Sequence, residues 1–170
     1  MKTLARWLER GLEWFLIVQM VALTAVVVYA VLVRKLGMSV AWYDEVAAIQ
    51  LAWITWYGAG LAALKRKHIA FDGALLALPP SMRAVAVVIG EALVIGFFAL
   101  MAWSGWEVLM VLEGMSLISL TWVPVQFTQS VIPIGGALFI LCSLLSLPEY
   151  WRGTMAGHSF EHPEIVEDPA

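Results

Sequence analysis

The chain has 170 residues, 62% of them hydrophobic and only 14% charged, with a mean hydropathy of +0.85. A soluble domain carries roughly 25% charged residues, so the class is an integral membrane protein, all-α. The net charge of −3 is weak and says nothing about nucleic acid, no basic run interleaved with aromatics occurs, no nucleic-acid partner is expected, and the single Cys142 rules out an intrachain disulfide.

Residues Met1 to Glu13 are expected to form an amphipathic helix at the bilayer surface. Leu4, Trp7, Leu8 and Leu12 fall on one face, and Lys2, Arg6, Glu9, Arg10 and Glu13 fall elsewhere. The first span follows from Trp14 to Val33 and stops at Arg34-Lys35. Its length matches the ~20 residues that a ~30 Å hydrocarbon core demands. The run is longer than the apolar region of a signal peptide and charged residues follow it, so it reads as an uncleaved anchor. The second span is expected over Glu45 to Leu64, ending at Lys65-Arg66-Lys67-His68.

The stretch "IAFDGALLALPPSMR" is too short to cross. Asp72, Gly73 and Pro79-Pro80 interrupt it, which suits a short surface helix, with Ser81 capping the next helix. The third apolar run extends from Met82 to about Met115. A straight helix of that length is ~50 Å long at ~1.5 Å per residue. It must protrude or break near Ser104-Gly105, with Ala84 to Trp103 in the membrane. Pro124 suits a helix start. The fourth span covers Val125 to Leu147, with a kink expected at Pro133 to Gly136 and a stop at Pro148. Residues 1–152 then form one transmembrane helical bundle, and the acidic tail 153–170 is expected to be disordered.

Four spans put both termini on one side. With the N-terminus inside, Lys2, Arg6, Arg10, Lys65, Arg66, Lys67, Arg83 and Arg152 are cytoplasmic and only Arg34 and Lys35 lie outside, the bias of the positive-inside rule. Asp44, Glu45, Glu107 and Glu113 then face the exterior.

Asp44-Glu45 has two readings. Acids in a first turn meet the positive end of the helix dipole, worth about 0.3–1 kcal/mol each. Trp42 and Tyr43 would anchor the same boundary, and Arg34 and Lys35 could pair with the acids. Alternatively this acidic rim contacts a partner. Catalysis is disfavoured, because adjacent helical residues point about 100° apart. Glu91 lies among Ala, Val, Ile and Leu inside the third span. An intramembrane acid is a candidate proton or cation carrier. It could also be protonated, or hydrogen-bonded to a neighbouring helix, since no second ionisable residue in the spans is evident to relay with it. Ala48, Ala52, Thr55, Ala59 and Ala63 recur at three- and four-residue steps, a small-residue face that lets another helix approach, within this chain or from another subunit. Gln50, Trp53 and Tyr57 on another side, and Gln19 and Thr24 in the first span, add hydrogen-bonding groups.

Haem ligation requires His in the spans. His68 sits in a loop and His158 and His162 in the tail, where the "HSFEH" spacing reads as accidental. No G-x-S-x-G, H-E-x-x-H or phosphate-cradling loop occurs. Neither catalytic residues, nor a cofactor, nor a metal site is expected in this chain.

The segment "WYDEVAAIQLAWITWYGAGLAALKRKHIAFD" resembles the small membrane subunit of TRAP (tripartite ATP-independent periplasmic) transporters, the DctQ-like family. The resemblance rests on the aromatic–acidic start at Trp42, Asp44 and Glu45, then Trp53 and Gly58-Ala59-Gly60, and the exit at Arg66, His68, Ile69 and Asp72. Leu117 to Pro124 and the "IPIGG" element with Pro133 and Gly135 continue it. It extends from about Leu4 to Trp151. No family role carries over to Glu91.

The resemblance implies a non-catalytic scaffold in a bacterial or archaeal cytoplasmic membrane. Its partners would be a large carrier subunit, which uses the sodium gradient, and a periplasmic substrate-binding protein that delivers an organic anion. The alternatives are a small proton-coupled homo-oligomeric exporter using Glu91 and an anchor subunit of a redox enzyme. The small subunit of the tricarboxylate tripartite system is similar in architecture but fits the Trp-acidic and I-P-I-G elements less well.

Overall fold

The computed structural model describes residues 2–38, 40–66, 75 and 77–157. Among the described residues, five helices follow one another: α1 Lys2–Lys35, α2 Trp42–Lys65, α3 Pro80–Val111, a one-turn α4 Val125–Gln129, and α5 Val131–Met155. Among the described residues, four stretches are long and apolar enough to cross a membrane, the last being α4 and α5 together. The chain is an all-α, multi-pass membrane protein.

α1 is one unbroken helix of 34 residues. The amphipathic segment expected to lie flat is helical, but it runs into the first span without a bend. Lys65 at the end of α2 explains this. It pairs with Glu9 at 3.2 Å and with Glu13, so the polar face of the segment is held against α2. The short surface helix expected between the second and third spans falls mostly on 67–74 and 76, outside the described residues, as do His68 and Asp72.

α3 is also continuous, and the expected break near Ser104-Gly105 does not occur. Its 32 residues give ~48 Å at ~1.5 Å per residue, against a core of ~30 Å, so the helix protrudes. Ser81 does not cap it. Pro79 occupies the cap and Pro80 the first helical position, where a missing N–H costs nothing.

In the fourth span the helical ladder is interrupted only at Ser130, three residues before Pro133, and Ser130 itself keeps helical φ −58° and ψ −19°. Pro133 has no N–H for the carbonyl of Gln129, and its ring clashes with that carbonyl in a continuous helix. The ladder therefore loses one bond there, and Pro133 sits in the first turn of α5. Pro148 does not end α5, which runs on to Met155. The turn beyond Pro148 is held from outside: Arg83 Nη1 of α3 donates to the Thr154 carbonyl at 3.0 Å. Tail residues 158–170 lie outside the described residues.

α5 stands between α2 and α3, and α1 packs chiefly on α2. Burial follows this order: 39% of the most apolar window of the fourth span is buried, against 11%, 11% and 6% for the first three. The core is small, with Leu12, Ala63, Phe139 and Cys142 at its centre. Close approach to α5 depends on missing side chains. A Cβ on Gly135 would lie 2.8 Å from Trp56 Cβ, and one on Gly105 would lie 2.7 Å from Ile132 Cγ2. The Phe98 and Phe139 rings stack above this contact, tilted by only 9°.

Candidate functional site

Polar side chains in the spans gather at the two ends of α2. At its first turn, Glu45 faces the segment between α3 and α4. Its carboxylate accepts the backbone N–H of Ile118 at 3.0 Å and of Ser119 at 2.8 Å, and Ser119 Oγ donates to the Ala41 carbonyl at 3.2 Å. Trp42 stacks on Tyr29 of α1, with ring centroids 6.0 Å apart. Arg34 turns to Tyr43, donating to its hydroxyl and lying over its ring, rather than to the acids. Asp44 is exposed. The two adjacent carboxylates therefore differ: Glu45 is a clasp, and Asp44 is free to meet solvent or a partner.

The other end is more deeply buried. Arg66 caps α2 with φ 52° and ψ 34°, a left-handed conformation usually left to Gly. That turn swings its side chain between α3 and α5. Nη1 pairs with Glu91 Oε1, and Nη2 lies 3.5 Å from Oε2. Nη2 also donates to the Ser143 carbonyl at 2.8 Å, and Nε donates to Ser146 Oγ at 2.8 Å. Ser143 Oγ donates to Glu91 Oε2 at 3.0 Å, and the guanidinium lies 4.5 Å from the centre of the Tyr150 ring. The side chains of Arg66 and Glu91 are only 14% and 16% exposed. Charge is matched with charge, and most remaining donors and acceptors are met.

This corrects the expectation that Glu91 has no ionisable partner. Arg66 was placed at a cytoplasmic exit, and its reach back to α3 was missed. The available signal was Ser143 and Ser146, three apart on one face of an apolar helix.

The small-residue stripe divides. Ala48, Ala52 and Thr55 are exposed, Ala59 is half-buried, and Ala63 is buried in the chain's own core beside Cys142. Thr55 Oγ1 satisfies itself on the Leu51 carbonyl at 2.8 Å. On other faces of α2, Trp53 Nε1 donates to the Thr128 carbonyl at 3.1 Å, and Tyr57 meets Phe15 edge-on at 4.8 Å. Gln50 Oε1 is buried with no hydrogen bond. Pro133 and Gly135 are occupied within the chain, against Gly105 and Trp56 respectively. Among the described residues no group of three or more His, Cys, Asp or Glu is placed to hold a metal ion.

Among the described residues, these polar contacts join α2 to α3, α5 and the segment before α4. The sequence from 23 to 153 matches the family described as tripartite ATP-independent periplasmic transporters, DctQ component. The chain belongs to that family. A search among curated proteins returned no match. Membership makes this DctQ-family chain a small subunit of a TRAP transporter, a transport component and not an enzyme. The matched region takes in both ends of α2, including Glu45, Arg66 and Glu91, but not the N-terminal turns of α1.

Proposed function

We propose that this chain braces the large carrier subunit of a TRAP system in the cytoplasmic membrane and shares in docking the periplasmic substrate-binding protein. Uptake of an organic anion, driven by the sodium gradient, is then the work of the assembly. The N-terminus and the Arg66 end lie inside, and the Glu45 end lies outside, a reading that the distribution of Lys and Arg supports.

One observation carries this reading. The intramembrane acid, Glu91, is held by Arg66 and Ser143 inside the chain. A carboxylate so paired is a strut between α2, α3 and α5, which supports bracing over a proton-carrying exporter. The weakly buried faces of α1, α2 and α3 leave ample apolar surface for lipid and a large partner.

Purification from membranes in mild detergent tests the proposal. A large multi-span subunit of the same system should accompany the chain in fixed ratio. Accumulation of an organic anion by liposomes holding this chain alone would overturn it.

A further inference from the structure

We propose that the segment from Met115 to Pro124 is a lipid-seated hairpin, with Ile118 and Trp122 inserted in the interfacial layer of the bilayer and Glu45 holding it there.

The first support is composition. No residue from Gly114 to Pro148 is charged, so the connection between α3 and α4 has the polarity of a span and not of a solvated loop. The second is the backbone. Non-helical chain enters an apolar layer only when its polar groups are met inside the protein. Leu117 N–H donates to the Val123 carbonyl at 3.0 Å, Val123 N–H to Leu120 at 2.9 Å, and Val125 N–H to Met115 at 2.9 Å. Ser116 and Pro124 form an isolated antiparallel bridge. The donors of Ile118 and Ser119, at the turn, go to the Glu45 carboxylate. Glu45 thus removes two open donors from the part of the hairpin that most needs them removed.

The third support is what the hairpin displays. Ile118 is 91% exposed and Trp122 is 80% exposed, with Val111 and Met115 exposed beside them. Large apolar side chains on a rigid tip, free of covering by the chain itself, need an apolar neighbour. Height selects lipid as that neighbour. Contact with Glu45 and Ala41 sets the hairpin level with the first turn of α2, where Trp42 stacks on Tyr29. Trp and Tyr concentrate at that level because it is both apolar and wet. The proposal needs only that the spans cross a bilayer and is independent of the identity of the large subunit.

Nitroxide labels at Ile118→Cys and at Trp122→Cys, each in the Cys142→Ala background, report the depth. The native Cys142 is fully buried. If its replacement prevents folding, it is left in place and the unsubstituted protein serves as the labelling control. The intact complex is placed in phosphatidylethanolamine–phosphatidylglycerol nanodiscs, and collision with oxygen is compared with collision with a water-soluble nickel chelate. Both sites should favour oxygen over nickel severalfold more than a water-soluble nitroxide free in the same sample. Adding Glu45→Ala should bring them back toward the free-nitroxide ratio. Ratios equal to that of the free nitroxide would overturn the proposal by making the hairpin aqueous. Exclusion of both reagents would overturn it by showing protein on the tip. An unchanged ratio with Glu45→Ala would remove Glu45 from it.

Discussion

Arg66, in a left-handed conformation at the end of α2, closes an ion pair on Glu91 of α3, and Ser143 of α5 completes the contact on the carboxylate. Three helices converge on one charge pair. Removing one member of a buried pair leaves the other uncompensated, at a cost of about 3–5 kcal/mol. Glu91→Gln should therefore lower the thermal midpoint of the purified complex. Glu91→Leu combined with Arg66→Met should recover much of the loss, since neither charge is then stranded. A scaffold predicts that Glu91→Gln retains uptake in proportion to the complex that survives. Complete loss of uptake with the complex fully assembled would instead return Glu91 to the role of proton carrier.

The spans and their order were legible in the sequence because hydrocarbon thickness imposes a length, and charged residues mark where it is exceeded. Punctuation was read less well. Pro148 marks a stop by local rules, yet α5 continues because Arg83 reaches Thr154 from a different helix. Pro133 suggests a kink within Pro133 to Gly136, and its missing donor instead interrupts the ladder at Ser130, whose own backbone stays helical. The Arg66–Glu91 pair was illegible for a related reason. Periodicity assigns residues to faces of one helix, but the register of α2 against α3 is set by their shared neighbour α5. The sequence offers Glu45 two roles, helix-start acid and partner contact, and it does stand in the first turn of α2, but the donors it accepts lie in a loop whose fold no local pattern specifies.

Glycine substitutions should separate close packing from mere flexibility. A Cβ at Gly135 meets Trp56 at 2.8 Å, whereas one at Gly96 meets nothing within 4 Å. Gly135→Ala should destabilise by about 1–3 kcal/mol, the range for overpacking. Gly96→Ala should be neutral or stabilise by up to ~1 kcal/mol through helix propensity. Thermal unfolding of both variants in the same detergent checks the contrast. Equal effects would mean that α2 and α5 are not in contact at Trp56.

The adjacent acids should behave differently. Glu45→Ala should speed hydrogen exchange at the Ile118 and Ser119 amides, because their acceptor is gone, while Asp44→Ala leaves both rates unchanged. Docking at the outer rim adds a second expectation, that Asp44→Ala weakens capture of the substrate-binding protein without altering yield of the membrane complex. If capture is unaffected, the rim has no docking role at Asp44 and Glu45 remains a clasp.

Trp53 offers a test of how firmly the re-entering turn α4 is held. Its indole N–H donates to the Thr128 carbonyl, and its ring packs on Phe127 at 5.4 Å and Tyr57 at 6.0 Å. Trp53→Phe keeps an aromatic ring in place and removes only the donor and part of the area. A buried carbonyl that loses its partner costs about 1–3 kcal/mol. The variant should lose stability in that range, and exchange at the Ser130 amide, which bonds Gln126 within the same turn, should rise with it. Trp53→Leu should cost more, because two ring contacts go as well. If Trp53→Phe were silent in both measurements, the Thr128 carbonyl would have another donor, and the turn would owe its place to Pro133, the Gly105 contact and the bond from Gln126 Nε2 to the Leu109 carbonyl.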